Sequence, residues 1–128
     1  MRLVLDTNVV LPWFQGESGT AEARALHTRL LRDEVEVFVP RLLSLEVLNV
    51  AGRRWQWPDQ ELAGLADELD ALPWIVRDPA LPSIAPWVAR GLTAYDATYV
   101  ALAESLSCTV VTADDRMLAV APGIAVAW

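Results

Sequence analysis

Four acidic residues occupy positions in the sequence where a solvent-exposed carboxylate is not expected. Asp6 and Asp114 each follow a short apolar run of the strand type, and Asp96 stands near the start of an Ala-rich helical segment. Glu46 lies inside another helical segment, with leucine and valine at the neighbouring helical positions. A carboxylate in apolar surroundings costs free energy unless it is paired or binds a cation. These four residues are therefore the candidates for chemistry.

Four clustered carboxylates indicate metal-dependent chemistry, because they repel one another unless a cation lies between them. Ligand sets made of oxygen alone suit Mg²⁺ or Mn²⁺ rather than zinc, and one histidine and one cysteine cannot form a Cys/His zinc site. One or two such ions can activate a water and stabilise the leaving oxygen in an in-line displacement at phosphorus. All ten basic residues are arginine, which excludes Schiff-base, general-base and P-loop chemistry that needs a lysine.

Each acid also has an ordinary structural explanation. Asp6 could cap the helix that follows it, and Asp114 or Asp115 could cap the next one, since aspartate is a favoured N-cap. Asp96 could belong to a first helical turn, where acids are enriched. Glu46 could pair with an arginine. These explanations are less satisfactory for all four residues together than for any one of them.

The elements that must position these residues alternate along the chain. Apolar runs at 3–5, 35–39, 74–76, 109–112 and 124–127 predict strands, the last of them at an edge, and helical patterns cover 20–32, 41–54, 58–72, 95–106 and 114–120. Continuous Val, Ile and Leu runs separated by helices predict one domain, residues 1–128, with a three-layer α/β/α sandwich and a mostly parallel central sheet. In such sheets ligands bind beyond the carboxyl ends of the strands, where Asp6 and Asp114 lie.

Two further predictions concern the helical layers. The segment 78–86 holds three prolines and is expected to be a loop, with one helical turn around 84–90. The apolar positions of two helices predict which faces are buried, namely Ala23, Leu26, Leu30 and Leu31 in the first and Leu42, Leu45, Leu48 and Asn49 in the second.

Four short motifs in this order and spacing resemble the PIN-domain family, and the chain's length is similar to that of the VapC-type toxins of prokaryotic toxin–antitoxin pairs. Any one of these motifs is a weak signal, and the four in order are a strong one. The motifs are Leu3-Val4-Leu5-Asp6-Thr7-Asn8, Pro40 with Ser44-Leu45-Glu46-Val47, the run from Leu92 to Ala103 that contains Tyr95-Asp96-Ala97, and Val110-Val111-Thr112-Ala113-Asp114.

The resemblance implies a parallel-centred α/β/α sandwich and Mg²⁺- or Mn²⁺-dependent endoribonuclease activity. The acidic quartet of the family falls on Asp6, Glu46, Asp96 and Asp114, as catalytic and metal-binding residues. The polar helpers would be Asn8 and Thr112, with Asp115 as a supporting or capping residue. The resemblance also implies an RNA substrate, a cognate antitoxin and a homodimer.

Arginine must supply any contact with RNA phosphates. Arg90 and Arg116 flank the last two acidic motifs and are the better candidates, although a solvated arginine or an internal ion pair is an equally good explanation. Two aromatic pairs, Trp55 with Trp57 and Trp13 with Phe14, could stack on bases or contact a partner protein. Packing within the domain is the simpler interpretation of both pairs.

Two other functions fit parts of the pattern. Asp6 could be the nucleophile of an aspartyl-phosphate phosphatase or a phosphoacceptor, but such sites want a second Asp where Asn8 stands, and a lysine. A PIN-like scaffold for RNA processing would not need the intact quartet.

The net charge of −7 argues against diffuse electrostatic binding of nucleic acid, so that bound cations and a few arginines would have to supply local positive charge. No secretory signal or membrane-spanning run is visible, and we expect a cytoplasmic protein.

Overall fold

The computed structural model describes residues 1–15 and 21–127, which form a parallel sheet with helices packed on it. The sheet has five strands in the order β3-β2-β1-β4-β5, and every pairing is parallel. The strands are β1 (Arg2–Leu5), β2 (Glu36–Val39), β3 (Ile75–Val76), β4 (Thr109–Val111) and β5 (Ala125–Val126). The predicted α/β class is confirmed, and the strand predicted at an edge is indeed β5.

Helices follow the strands along the chain. They are α1 (Thr7–Val10), which continues into a 3-10 turn (Leu11–Phe14), α2 (Ala21–Leu31), α3 (Arg41–Arg53), α4 (Asp59–Ala71), α5 (Leu81–Ala89), α6 (Ala94–Ser105) and α7 (Asp115–Val120). Consecutive strand residues point to opposite faces of a sheet. Val4 and Leu5 in β1 are both fully buried, so helices cover the sheet on both sides.

The strand order creates one place where connections leave the sheet in opposite directions. From β1 the chain moves to β2 and β3 on one side, and later returns to β4 and β5 on the other. Leu5 is paired with Val111 at the ends of β1 and β4, and the Asp6 amide donates to the Val111 carbonyl at 3.0 Å. The crevice beyond these two ends is the usual ligand site of an open parallel sheet.

The segment expected to be a loop with one helical turn around 84–90 instead forms a longer helix, α5 (Leu81–Ala89), so the loop prediction is wrong for 81–83 and the turn is confirmed only as part of this helix. Pro82 lies in its first turn, where a missing amide hydrogen costs nothing. Pro86 removes one interior hydrogen bond, but Ile84 and Trp87 are buried. Packing of these two side chains against the core outweighs the loss, which proline counts alone do not predict.

The buried face of α3 also differs from the prediction. The structure buries Leu43, Val47 and Ala51, whereas Leu45 is 53% exposed and Asn49 lies in solvent. Apolar residues occur on nearly every side of this helix, so periodicity could not choose between faces. Leu31 in α2 is likewise exposed, while Ala23, Leu26 and Leu30 are buried as predicted.

Aromatic residues near α2 pack on one another. The rings of Trp13 and His27 are stacked with centroids 4.5 Å apart, and Trp74 lies 6.2 Å from Trp13. The Trp13 indole donates to the Ala23 carbonyl at 2.9 Å. Packing is thus the interpretation that the structure favours for Trp13.

A second tryptophan pair lies between α3 and α4. Trp55 and Trp57 have ring centroids 5.4 Å apart and pack, partly buried, against the core. Packing is favoured here too.

Within 1–15 and 21–127, no helix is both long and apolar enough to cross a membrane. The predicted start of the helix at Thr20 falls within residues 16–20, outside the described residues.

His27 should make the stability of the fold depend on pH. Burial lowers the pKa of His27 below its ordinary value, and the nearby Glu68 carboxylate opposes this in part. The unfolded chain therefore binds the proton more readily than the folded chain does. The stability that the folded chain gains by keeping His27 neutral is complete above about pH 6.5 and is lost as the pH falls below that value. We expect the difference in melting temperature between wild type and His27→Gln to shrink between pH 7.5 and pH 5.

The matched control is Leu31→Gln, which alters an exposed residue of the same helix. Its difference from wild type should stay constant with pH. A difference in melting temperature between wild type and His27→Gln that stays constant from pH 7.5 to pH 5 would contradict the assignment.

Candidate active site

Asp6 is a buried carboxylate held by two neutral donors. It follows β1 directly and is only 5% exposed. Its Oδ1 accepts from the Thr7 amide at 2.8 Å, and its Oδ2 accepts from the Thr112 hydroxyl at 2.7 Å. Both partners are uncharged, so the hydrogen bonds orient the carboxylate without neutralising it.

The loop after β4 is tied to the loop after β1. The Thr112 hydroxyl accepts from the Asp114 amide at 2.9 Å, which directs its own proton to Asp6. Asn8 Oδ1 accepts from the Ala113 amide at 3.2 Å. The predicted helpers Asn8 and Thr112 therefore fix the relative positions of Asp6 and Asp114.

The capping explanations are correct for both strand-end aspartates, without moving them away from the crevice. Asp6 is the N-cap of α1, and Asp114 is the N-cap of α7, where its Oδ1 accepts from the Met117 amide at 2.9 Å. Asp115 is the first residue of α7 and is exposed. The preference for Asp114 over Asp115 as the inward residue agrees with this geometry.

Glu46 is held by hydroxyl groups. Its Oε1 accepts from the Thr7 hydroxyl at 2.8 Å and from the Tyr99 hydroxyl at 2.5 Å. The two hydroxyl oxygens are themselves 2.7 Å apart. These three oxygen–oxygen contacts involve only two hydroxyl protons, so one of the hydroxyls donates its proton to two acceptor oxygens at once.

The arginine partner considered for Glu46 is not found. In the described part of the chain the ion pairs join Arg2 to Glu36 at 3.0 Å and Arg41 to Asp70 at 3.8 Å, both at the surface.

Asp96 lies in the first turn of α6 and is half-buried. Thr93 caps this helix, because its hydroxyl accepts from the Asp96 amide at 3.1 Å. Burial raises the pKa of Asp96, and the charges of Asp114 and Glu46 raise it further.

The four carboxylates interact electrostatically. The pKa of Asp6 is raised to about 6, mainly because burial disfavours its charged form, while hydrogen bonds from Thr112 and Thr7 oppose the shift. The charges of Asp96 and Glu46 raise it as well. Because Asp96 also feels Asp114 and Glu46, the structure brings all four predicted acids into one electrostatic cluster.

The donor set fits Mg²⁺ or Mn²⁺. Among the described residues, no three His, Cys, Asp or Glu side chains stand close enough to form a ready-made cage. Mg²⁺ does not require one, since it keeps several waters and is usually held by one or two carboxylates together with substrate phosphates. Burial, and to a smaller extent the charges of neighbouring acids, raise the pKa of Asp6. A divalent cation would stabilise the charged form of such a carboxylate.

The two predicted RNA-binding arginines lie near one turn. Arg116 donates to the Gly91 carbonyl at 3.1 Å, so α7 is linked to the turn between α5 and α6. The Arg90 guanidinium lies over the Trp87 ring at 4.5 Å. Neither contact is an ion pair, and both arginines lie beside the segments that carry Asp96 and Asp114.

Thr7 and Tyr99 were missed as site residues. Thr7 follows Asp6 directly, and Tyr99 is one helical turn after Asp96, where the surrounding residues are Ala, Val and Leu. A tyrosine in such surroundings must find a hydrogen-bond partner for its hydroxyl. That requirement was the signal in the sequence that could have pointed to it.

The sequence matches a family model and a curated relative. The family model for the PIN domain matches residues 3–122. Ribonuclease VapC1 of Mycobacterium tuberculosis is 34% identical over 126 residues, covering 94% of this chain and 91% of that protein.

Among solved structures, FitAcB from Neisseria gonorrhoeae has a TM-score of 0.70 at 18% identity and covers 96% of this chain and 95% of its own. A toxin–antitoxin complex from Klebsiella pneumoniae has a TM-score of 0.63 at 21% identity, with 97% and 95% covered. At these identities the two structures establish the shared fold. Together with the matched family model and the VapC1 relative, they lead to one conclusion: the chain belongs to the PIN-domain family.

Proposed function

We propose that residues 1–128 form one Mg²⁺- or Mn²⁺-dependent endoribonuclease domain that hydrolyses RNA phosphodiester bonds, with Asp6, Glu46, Asp96 and Asp114 as its catalytic, metal-binding residues. The observation that carries the proposal is the electrostatic cluster of these carboxylates at the crevice between β1 and β4. The similarity to a protein named ribonuclease VapC1 supports the choice of RNA as substrate.

The chain's own residues hold the reacting groups in place. Thr112 and the Thr7 amide orient Asp6, and the Thr7 and Tyr99 hydroxyls orient Glu46. Glu46, Asp96 and Asp114 are only half-buried, so water and a phosphate can reach them. A bound divalent cation would supply the positive charge that lowers the pKa of an attacking water and stabilises the leaving oxygen.

The biological role that best suits the chain is the toxin of a type II toxin–antitoxin pair. The VapC1 relative and the Klebsiella toxin–antitoxin complex support this assignment. Its partners would be an antitoxin, whose basic residues would complement the net charge of −7, and a second copy of the chain. We place this activity in the cytoplasm, where RNA is available.

Loss of a single predicted metal ligand should abolish cleavage. Asp6→Asn and Asp96→Asn should each slow cleavage of a single-stranded RNA by at least about 100-fold, because losing a ligand should cost no less than the upper end of the range for losing a partner that orients one. Asp6→Asn should fold, because it removes a buried charge while keeping an acceptor for the Thr7 amide. The control is Asp67→Asn, an exposed acid in α4. Undiminished cleavage by either site variant would refute the proposed mechanism.

Divalent cations should stabilise the folded chain. With free Mn²⁺ at 100 times its Kd, binding to the native state adds about 2.7 kcal/mol to the free energy of unfolding. The rise in melting temperature should vanish in Asp6→Asn, and excess EDTA should stop RNA cleavage by wild type. A wild-type chain that gains no stability from Mn²⁺ would favour a PIN-like scaffold.

The two arginines should act on RNA binding. Arg90→Gln and Arg116→Gln should raise KM with little change in kcat, and each should lower the slope of log affinity against log salt by about 0.7, the value for one phosphate of a single strand. Arg24→Gln, at an exposed site in α2, is the charge-matched control. Equal KM values and equal salt slopes in all three variants would show that Arg90 and Arg116 do not contact the RNA.

A further inference from the structure

Tyr99 buries a hydroxyl at a point where three acid-bearing segments meet. Its side chain is fully buried on α6, beside Val100, Ala101 and Ala103, which are also fully buried. A phenylalanine would fill the same space without bringing a polar atom into it. Burying a hydroxyl is costly unless it is hydrogen-bonded, so its partners identify what it does.

Those partners are Glu46 on α3 and Thr7 at the start of α1. Thr7 in turn binds the Asp6 carboxylate through its amide and Glu46 through its hydroxyl. Tyr99 also lies one helical turn after Asp96 in α6. One phenol oxygen thus connects the segments that carry Asp6, Glu46 and Asp96.

We propose that Tyr99 is a positioning residue which, together with Thr7, fixes the Glu46 carboxylate for divalent-cation binding; this inference rests on the proposed function. Both hydroxyls bond to Oε1 of Glu46. Oε2 is therefore not engaged by them and is the oxygen available to a cation.

The physical basis is the mobility of glutamate. Glu46 is half-buried near the rim, and glutamate is among the side chains that lose the most conformational entropy when they are ordered. The hydrogen bonds from the two hydroxyls order the Glu46 side chain during folding, so this entropy is already lost before a cation binds. Without the Tyr99 hydroxyl, cation binding itself has to order Glu46, and the affinity falls.

The test is the affinity of the purified chain for Mn²⁺, measured by titration calorimetry without RNA. Tyr99→Phe should weaken Mn²⁺ binding about 10-fold, the lower end of the range for partners that orient a metal ligand. Tyr95→Phe is the matched control, because Tyr95 lies on the same helix and is 63% exposed. It should bind Mn²⁺ as wild type does.

A double-mutant cycle with Glu46→Gln separates positioning from a general effect on packing. If Tyr99 acts through Glu46, Tyr99→Phe causes no further loss of affinity in the Glu46→Gln background. A structural role alone would lower the melting temperature in both backgrounds and leave Mn²⁺ affinity unchanged, or weaken it equally in both. Either of those results overturns the inference.

Thr7 provides a second route to the same conclusion, should Tyr99→Phe fail to fold. Thr7→Val should weaken Mn²⁺ binding, whereas Thr7→Ser, which restores the hydroxyl, should recover it. Equal affinities for these two variants would overturn the inference. If wild type binds no Mn²⁺, both the proposed function and this inference are overturned. If Tyr99→Phe binds Mn²⁺ as tightly as wild type does, the inference alone is overturned.

Discussion

The buried carboxylate of Asp6 is the constraint on which the rest of the site depends. It lies where β1 ends, beside the end of β4, and its hydrogen-bond partners are the neutral Thr7 amide and Thr112 hydroxyl. Neutral donors stabilise an anion without cancelling its field. Any further acid placed nearby therefore adds repulsion, and the fold has to offset that repulsion by local geometry.

Helix N-termini provide that geometry. Asp6 and Asp114 each accept a backbone amide proton at the start of α1 and α7, and Thr93 caps the helix whose first turn contains Asp96. Unpaired amides at a helix start favour negative charge. Helix capping and a position in the acidic cluster are thus compatible, because in a parallel sheet each helix begins at the edge where its strand ends, which is also the edge where ligands bind. Asp6 and Asp114 can therefore each be a helix N-cap and a candidate site residue at the same time.

Much of this arrangement could be predicted from the sequence, and the misses have identifiable causes. The apolar strand runs and the acids that follow them predict which edge of the sheet carries the candidate site. Both features depend only on residues that are close together in the sequence. The helix α5 was missed because its prolines are tolerated only through the burial of Ile84 and Trp87. The buried face of α3 was misassigned because leucines occur on several sides of it. Tyr99 was missed because its partners lie 53 and 92 residues away in the sequence, and no periodicity reports such contacts.

The hydroxyl groups of Thr7 and Tyr99, which both donate to Glu46 Oε1, explain how Glu46 can belong to the cluster without an arginine. A guanidinium paired with Glu46 would have neutralised the carboxylate and placed a second positive charge in the crevice, where it would compete with a divalent cation. Two hydroxyls satisfy the same carboxylate oxygen and leave its charge intact. Arg90 and Arg116 instead contact the Trp87 ring and the Gly91 carbonyl. Under the proposed function, these positive side chains would meet the phosphates at the rim, and the carboxylates inside would bind the cation.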